Sequence, residues 1–351
     1  MNNSFGSLFR ITTFGESHGE ALGVTIDGMP AGLDIDPVFI QSEMDRRKPG
    51  QSDVTTARKE ADQIEILSGV FQGKSTGTPL TMMLRNTDQH SKDYSDLAEV
   101  FRPGHADYGF YSKYGIRDYR GGGRSSGRET CARVAAGAVA KLILQHYQIS
   151  IRACADRIGT VKAAEHQWDF VEKNPVRCAD PAVADAMAAV IRDTAADGDS
   201  VGGIVYAEIC GLPPGLGEPV FDKFDALLAH AMLSIGGIKG IEIGSGFSCA
   251  EQMGSQHNDP MTPSGFQSNH AGGILGGISN GNTVQFRLAV KPTPSISKSQ
   301  KTLDIHGKQI DLQIRGRHDP CLVPRIIPVV EAMAALVTVD LLFRAKNTRL
   351  S

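Results

Sequence analysis

The sequence predicts a mixed α/β chain built from two related strand-turn-helix units, and three observations carry that prediction. Strand-like and helix-like segments alternate along the chain. The turn at 26–33, IDGMPAGL, returns at 209–216 as ICGLPPGL, each copy leaving a strand and preceding a helix. Two long segments, 129–147 and 324–343, read as buried helices. Gly-x-Pro-x-Gly turns are common, so the echo alone leaves coincidence open. At 351 residues the chain has ample length for a full core and allows about two domains, yet nothing marks a clean linker.

Taken in order, residues 8–13 read as a strand that delivers the turn Gly15-Glu16-Ser17-His18-Gly19, and 22–27 as the strand that follows. A histidine between glycines, beside a serine and a glutamate, suits either a hairpin tip facing a cavity or a turn whose side chains cap their own backbone. Asp36 and Pro37 open a helix with a basic end at Arg46, Arg47 and Lys48, a commonplace arrangement at a helix C-terminus. Residues 51–94 are polar and turn-rich, with strand candidates at 64–67 and 80–84. Gly73-Lys74-Ser75 resembles the end of a P-loop, but Ser68 stands where its first glycine is required. Nucleoside triphosphate chemistry is therefore rejected, and with no GxGxxG after a strand a Rossmann fold has no support either.

The stretch 102–141 concentrates charge. Arg102, Lys113, Arg117, Arg120, Arg124 and Arg128 face only Asp107 and Asp118 in its first half, and such a patch expects an anionic guest. Gly121, Gly122 and Gly123 permit close backbone approach, and Ser125 or Ser126 suits an N-cap for the helix that follows. A helix N-terminus meeting arginines is a seat for phosphate or carboxylate. His105, among small residues after Arg102-Pro103-Gly104, adds a group able to move protons near neutral pH. The alternative is a serine-capped glycine turn with solvated arginines.

Further on, 158–162 and 203–210 read as strands, Asp180-Pro181 opens a helix to residue 196, and another helix spans 219–233. Glycine-dense tracts at 236–246 and 269–277 imply backbone packed against a strand or a flat ligand. After a strand at 284–290, Lys291-Pro292-Thr293-Pro294-Ser295 places a cation and two hydroxyls on a stiff turn. In Arg317-His318-Asp319-Pro320-Cys321, the carboxylate is either a poised proton acceptor or an N-cap ion pair. The apolar run at 324–343 is broken by Arg325, Glu331 and Asp340, which marks a core helix rather than a membrane span.

Net charge is −3, so neither nucleic acid nor an anionic membrane is an expected partner. Cys131, Cys154, Cys178, Cys210, Cys249 and Cys321 form no CxxC pair and no zinc framework. The amino terminus lacks an apolar signal core. A cytoplasmic chain with reduced thiols and no metal is therefore expected.

GESHG at 15–19, RPGHAD at 102–107, GGGRSSGRET at 121–130, FQSNHAGGILGGIS at 266–279, KPTPS and RHDPC together resemble the chorismate synthase family, in order and nearly end to end. The resemblance implies one catalytic domain over 1–351, with a helical core sandwiched between antiparallel sheet layers, internal pseudo-symmetry and a homotetrameric assembly. It implies a carbon-oxygen lyase of the shikimate pathway, serving aromatic amino acid biosynthesis. Such an enzyme converts 5-enolpyruvylshikimate 3-phosphate to chorismate by 1,4-anti elimination of phosphate and a ring proton. Among FMN, FAD and NADP, the cofactor required is reduced FMN, which lends the substrate an electron and recovers it.

By the same resemblance, His18 is the acid beside the departing phosphate, His105 protonates flavin around N1, and Asp319 relays a proton from N5, with Ser17 and Ser126 as polar supports. Arg47, Arg102, Arg128 and Arg317 match substrate-holding arginines. Arg124, Ser125, Ser126, Gly276, Lys291 to Ser295 and Arg317 match FMN contacts, and Gly236 and Gly237 stand where relatives often carry Asn-Ala, so contact there would be through backbone. Asp53 stands where many relatives have an arginine associated with NADP, which leaves Arg47 as the NADP candidate and makes an intrinsic flavin reductase doubtful. Reduced FMN is expected from a separate reductase. The runner-up function is a non-catalytic flavin- or anion-binding protein.

Overall fold

The computed structural model describes residues 3–50, 54, 62–86, 97–314, 316, 318–346 and 348–349. After the short edge strand β1 (Ser4–Phe5), the first half of the chain runs β2 (Arg10–Gly15), β3 (Ala21–Asp27), α1 (Pro37–Arg47), β4 (Glu65–Ser68), the hairpin β5 (Val70–Phe71) and β6 (Lys74–Ser75), then β7 (Leu80–Arg85). A long connection containing α2 (Asp107–Tyr114) leads to α3 (Thr130–Gln145). The second half repeats this order. It runs β8 (Ser150–Ile158), β9 (Val161–Lys162), α4 (Ala184–Ala196), β10 (Gly203–Cys210), α5 (Phe224–Leu233) and β11 (Ile238–Ile243). There follow α6 (Gly254–His257), the hairpins β12 (Met261–Thr262) with β13 (Gly265–Phe266) and β14 (Ile274–Leu275) with β15 (Ile278–Ser279), then β16 (Val284–Val290). A second long connection, with β17 (Gln300–Leu303) and β18 (Gln309–Leu312), leads to α7 (Val323–Ala345).

Each half contributes one five-stranded antiparallel sheet, ordered β1-β2-β3-β7-β4 in the first and β9-β8-β10-β16-β11 in the second. The echoed turn is the hinge of the likeness. Ser75 Oγ donates to Pro30 O (2.5 Å) and accepts from Leu33 N (2.9 Å). Ser279 Oγ donates to Pro213 O (2.7 Å) and accepts from Leu216 N (2.9 Å). The same two-residue hairpin thus braces the same turn in both halves, and the repeat is structural rather than coincidental.

Helices α3 and α7 pack along each other between the sheets, α3 against β2 and β3, α7 against β8 and β10. The close contact has a sequence cause: a Cβ on Gly137 would lie 2.3 Å from that of Ala332, so only glycine lets the two backbones meet. The inward faces of β2, β3 and β7 alternate as expected for a half-covered sheet, with Ile11, Leu22, Val24, Ile26, Leu80, Met82 and Leu84 buried.

Helix α7 is long and apolar enough to cross a membrane by length and composition, but 94% of its most apolar window is buried inside the protein. Each charge that interrupts it has a partner. Asp340 Oδ1 accepts from the amides of Ser7 (2.9 Å), Leu8 (2.6 Å) and Phe9 (3.0 Å), Glu331 meets Arg46 and Lys141, and Arg325 pairs with Asp319. The structure also shows elements absent from the sequence expectation. Strand β8 begins at Ser150, its buried run Ala153–Asp156 set between Arg152 and Arg157, and α2 occupies part of the basic stretch. The 219–233 and 180–196 helices begin later, at Phe224 and Ala184.

Candidate active site

Three segments converge on the ends of α3 and α7: the β2–β3 turn and the two equivalent strand-to-helix connections. Gly121 (φ +66°) packs so closely on the turn that a Cβ there would lie 2.7 Å from His18 Cδ2 and 2.9 Å from Ser17 Oγ. Ser126 Oγ donates to Ser17 Oγ (3.2 Å) and accepts from Arg128 N (3.3 Å), capping the short 3-10 turn Gly127–Glu129 that leads into α3. Arg124 ties the same two segments together, donating to Gly15 O (3.1 Å) and Thr13 Oγ1 (2.7 Å).

The cations are held by carboxylates. Arg47, in the last turn of α1 and only 1% exposed, pairs with Asp62, and Arg128 Nη1 reaches the other oxygen of Asp62 at 2.8 Å. Burial alone pushes the Asp62 carboxyl up, but Arg47 and then Arg128 outweigh it and hold it below the usual carboxylate range. Arg128 Nε also donates to Asn86 Oδ1 (2.6 Å). Arg102 forms a two-pronged pair with Asp107 (2.8 and 2.9 Å).

From the second connection, Lys291 Nζ donates to Gly104 O (2.7 Å) and His105 Nε2 hydrogen-bonds Ser295 Oγ (2.8 Å). Burial and the nearby Arg102 guanidinium push His105 down to about 3, so this imidazole is neutral at pH 7. Asp319 pairs with Arg325 at the start of α7.

A cleft of about 440 Å³ opens where these segments meet, lined by Ser17, Arg47, Arg124, Ser125, Ser126, Arg128, Gly236 and Asp319, with Arg133 and Arg325 beside them. A second cavity of about 490 Å³, lined by Glu16, Phe110, Arg117 and Tyr119 among others, shares Ala106, Arg124 and Ser125 with the first. Among the described residues no group of three or more His, Cys, Asp or Glu side chains could hold a metal.

The chorismate synthase family model matches residues 9–343. The chain is 55% identical over 359 aligned positions to the chorismate synthase of Cytophaga hutchinsonii, covering 100% of both chains. This chain belongs to the chorismate synthase family. A solved structure described as a crystal structure of chorismate synthase superposes with a TM-score of 0.76 at 31% identity, covering 97% of this chain and 93% of that one.

Within this chorismate synthase fold, the residues predicted from sequence divide into four groups. Ser17, Arg47, Arg124, Ser125, Ser126, Arg128, Gly236 and Asp319 line the cleft. His18 sits against Gly121, while His105, Arg102 and the 291–295 turn form the layer joined through Gly104 and Ser295, with Gly237 O accepting from Lys291 N (2.9 Å). Gly276 lies apart, in the β14–β15 hairpin, and does not line the cleft. Arg317 and Asp53 lie outside the described residues. Sequence reasoning missed Asp62, Arg133 and Arg325. Arg325 carried a signal, as a cation in the first turn of an apolar helix; Asp62 carried none.

Proposed function

We propose that this chain, acting as one catalytic domain, converts 5-enolpyruvylshikimate 3-phosphate to chorismate and phosphate, a carbon-oxygen lyase step of aromatic amino acid biosynthesis. The observation that carries this reading is the convergence of the 15–19 turn, the 121–128 loop and Asp319 on one cleft walled by Arg47 and Arg128. A substrate with two carboxylates and a phosphate needs several permanent cations, and guanidinium keeps its charge when desolvated.

The residues also fit reduced FMN. Thr293 Oγ1 is buried without a hydrogen-bond partner among the described residues, and Gly236 leaves open space where a side chain would stand. Arg124, Ser125, Ser126, Gly236, Gly237, Lys291 to Ser295 and Arg317 would hold it, without Gly276. Held by these residues, reduced flavin would supply the transient one-electron chemistry of the elimination. Arg47, Arg102, Arg128 and Arg317 bind the anionic groups of the substrate. His18 delivers a proton toward the departing phosphate, which leaves with the electrons of its C–O bond. Neutral His105, oriented by Ser295, would serve proton transfer around flavin N1, and Asp319, oriented by Arg325, would relay a proton from the N5 side.

The working protein is proposed to be a cytoplasmic homotetramer supplied with reduced FMN by a separate reductase; Arg47 remains the NADP candidate. The test is anaerobic: purified protein, chemically reduced FMN and 5-enolpyruvylshikimate 3-phosphate, followed by phosphate release. Release only with reduced flavin is expected. Flavin binding without release would favour the non-catalytic alternative, and turnover driven by NADPH alone would remove the separate reductase.

A further inference from the structure

We propose that Asp62 is a positioning residue of the anion site, a built-in counter-ion that aligns Arg47 and Arg128 and sets how strongly the cleft attracts anions. The two arginines come from unrelated elements, the end of α1 and the 3-10 turn before α3. The Asp62 carboxylate joins them, with one oxygen on Arg47 and the other 2.8 Å from Arg128 Nη1. Its side chain is wholly buried, and Cys131 Sγ, in the first turn of α3, closes over the Arg47-facing oxygen at 3.7 Å. Water therefore screens the carboxylate poorly from the two guanidiniums, most of all from the buried Arg47.

The backbone supports the same reading. Asp62 has φ +45°, in the left-handed region that aspartate and asparagine tolerate better than most side chains. A short carboxylate held there cannot follow an arginine that swings away. Two guanidiniums brought to one cleft wall without it would repel each other, and each would turn to find a separate partner. With it, both keep one face on Asp62, and Arg128 is fixed again by Asn86. The consequence is two-sided: Asp62 supplies alignment, and it lowers the positive charge an incoming phosphate meets.

The kinetic arm of the test rests on the elimination proposed above; the binding arm does not. Asp62→Asn keeps the shape and the allowed backbone but removes the charge, whereas Asp62→Glu keeps the charge and displaces it by one methylene. Inorganic phosphate is titrated calorimetrically into flavin-free full-length protein, and kcat and KM are measured with reduced FMN. For Asp62→Asn, phosphate should bind about tenfold tighter at low salt, with a steeper salt dependence. Its KM should fall while kcat drops by about tenfold or more, because misaligned guanidiniums no longer favour the transition state. Asp62→Glu should restore wild-type phosphate affinity while keeping the lowered kcat.

A merely structural role predicts a lower melting temperature with unchanged or weaker phosphate binding, and that result overturns the proposal, as does a wild-type kcat in both variants. If Asp62→Asn does not accumulate as folded protein, Asp62→Glu decides alone by the same criteria. Wild-type protein that binds phosphate but releases none from substrate would sink the catalytic reading and leave the binding comparison standing.

Discussion

Arg46 and Arg47 are neighbours on the last turn of α1, yet they enter two different ion networks, and the contrast separates charge that holds this fold from charge that serves its cleft. Arg46 Nη1 meets Glu43 (3.1 Å) and Glu331 (2.6 Å), and Lys141 Nζ bridges the same two carboxylates at 2.5 and 2.6 Å. Arg46 Nη2 also meets Glu172 (2.8 Å), and Glu331 Oε1 accepts from Ala153 N (3.1 Å), joining α1, α3, α7 and β8. Arg47 shares one carboxylate, Asp62, with Arg128. Among the described residues, the first network brings three carboxylates, Glu43, Glu172 and Glu331, to Arg46 and Lys141, whereas the second sets the Asp62 carboxylate between Arg47 and Arg128 on the wall of the cleft. A buried network is costly to break but easy to match, whereas a site for anions must keep attraction in reserve.

The largest expected effect comes from Arg47→Ala. If Arg47 binds the substrate phosphate as proposed, loss of its desolvated guanidinium should lower kcat/KM for phosphate release by about a thousandfold. Stability should also fall, since Asp62 then keeps only part of its compensation. Release at more than a tenth of the wild-type rate would place Arg47 with Arg46 among the structural residues.

Glu331→Gln breaks the other network. Arg46 and Lys141 would keep only Glu43 in common, and a destabilisation of about 3–5 kcal/mol by urea unfolding is expected. Folded protein should retain its KM for substrate. A change in KM with little loss of stability would mean that the two networks are coupled, and the contrast would dissolve.

Acid titration sharpens the comparison further, because the groups titrate in different windows. Burial raises Glu331, but Arg46 and Lys141 outweigh it and bring it down to about 2, below its ordinary 4.5. Its contribution is therefore present above about pH 4.5 and is lost as pH falls toward about 2. His105 is held at about 3 rather than 6.5, so the unfolded chain binds its proton first, and stability should already decline as pH falls from 6.5. Urea midpoints between pH 7.5 and 4 should fall for the wild type, and His105→Asn should flatten the upper part of that fall. Glu331→Gln should leave the upper part intact. A profile flat from pH 6.5 to 4.5 in the wild type would remove the buried neutral histidine.

What the sequence disclosed and what it hid follows the same division. The GESHG turn, the triple glycine with its serines, and the paired Gly-x-Pro-x-Gly turns were legible, because each is a local arrangement whose residues act on their own neighbours. The second sheet was harder: β8 reads as polar because Arg152 and Asp156 interrupt it, and Arg152 is accommodated by Glu208 (2.8 Å) on the adjacent β10. Helix α2 was hidden by aromatic residues and glycines with modest helix propensity, and it ends at Gly115 in the left-handed conformation. Asp62 and Lys141 were invisible for a different reason. Their roles exist only once elements far apart in sequence meet, and no spacing rule links Asp62 to Arg128.

The smallest effect is expected at the third member of the basic triplet, Lys48. Its ammonium meets Asp45 at 2.9 Å, one turn back on the same helix, with the two side chains 35% and 45% exposed. Solvent and salt screen such a pair, and its net contribution is on the order of 0.5 kcal/mol or less. Lys48→Ala should therefore leave both the urea midpoint and phosphate release within error of wild type, while its neighbours each lose one property. Three consecutive cations would then behave as surface charge, cleft charge and core charge according to what faces them. A large loss of activity in Lys48→Ala would show instead that the attraction of the cleft is a property of the whole helix end, and that pairing distances do not sort these residues.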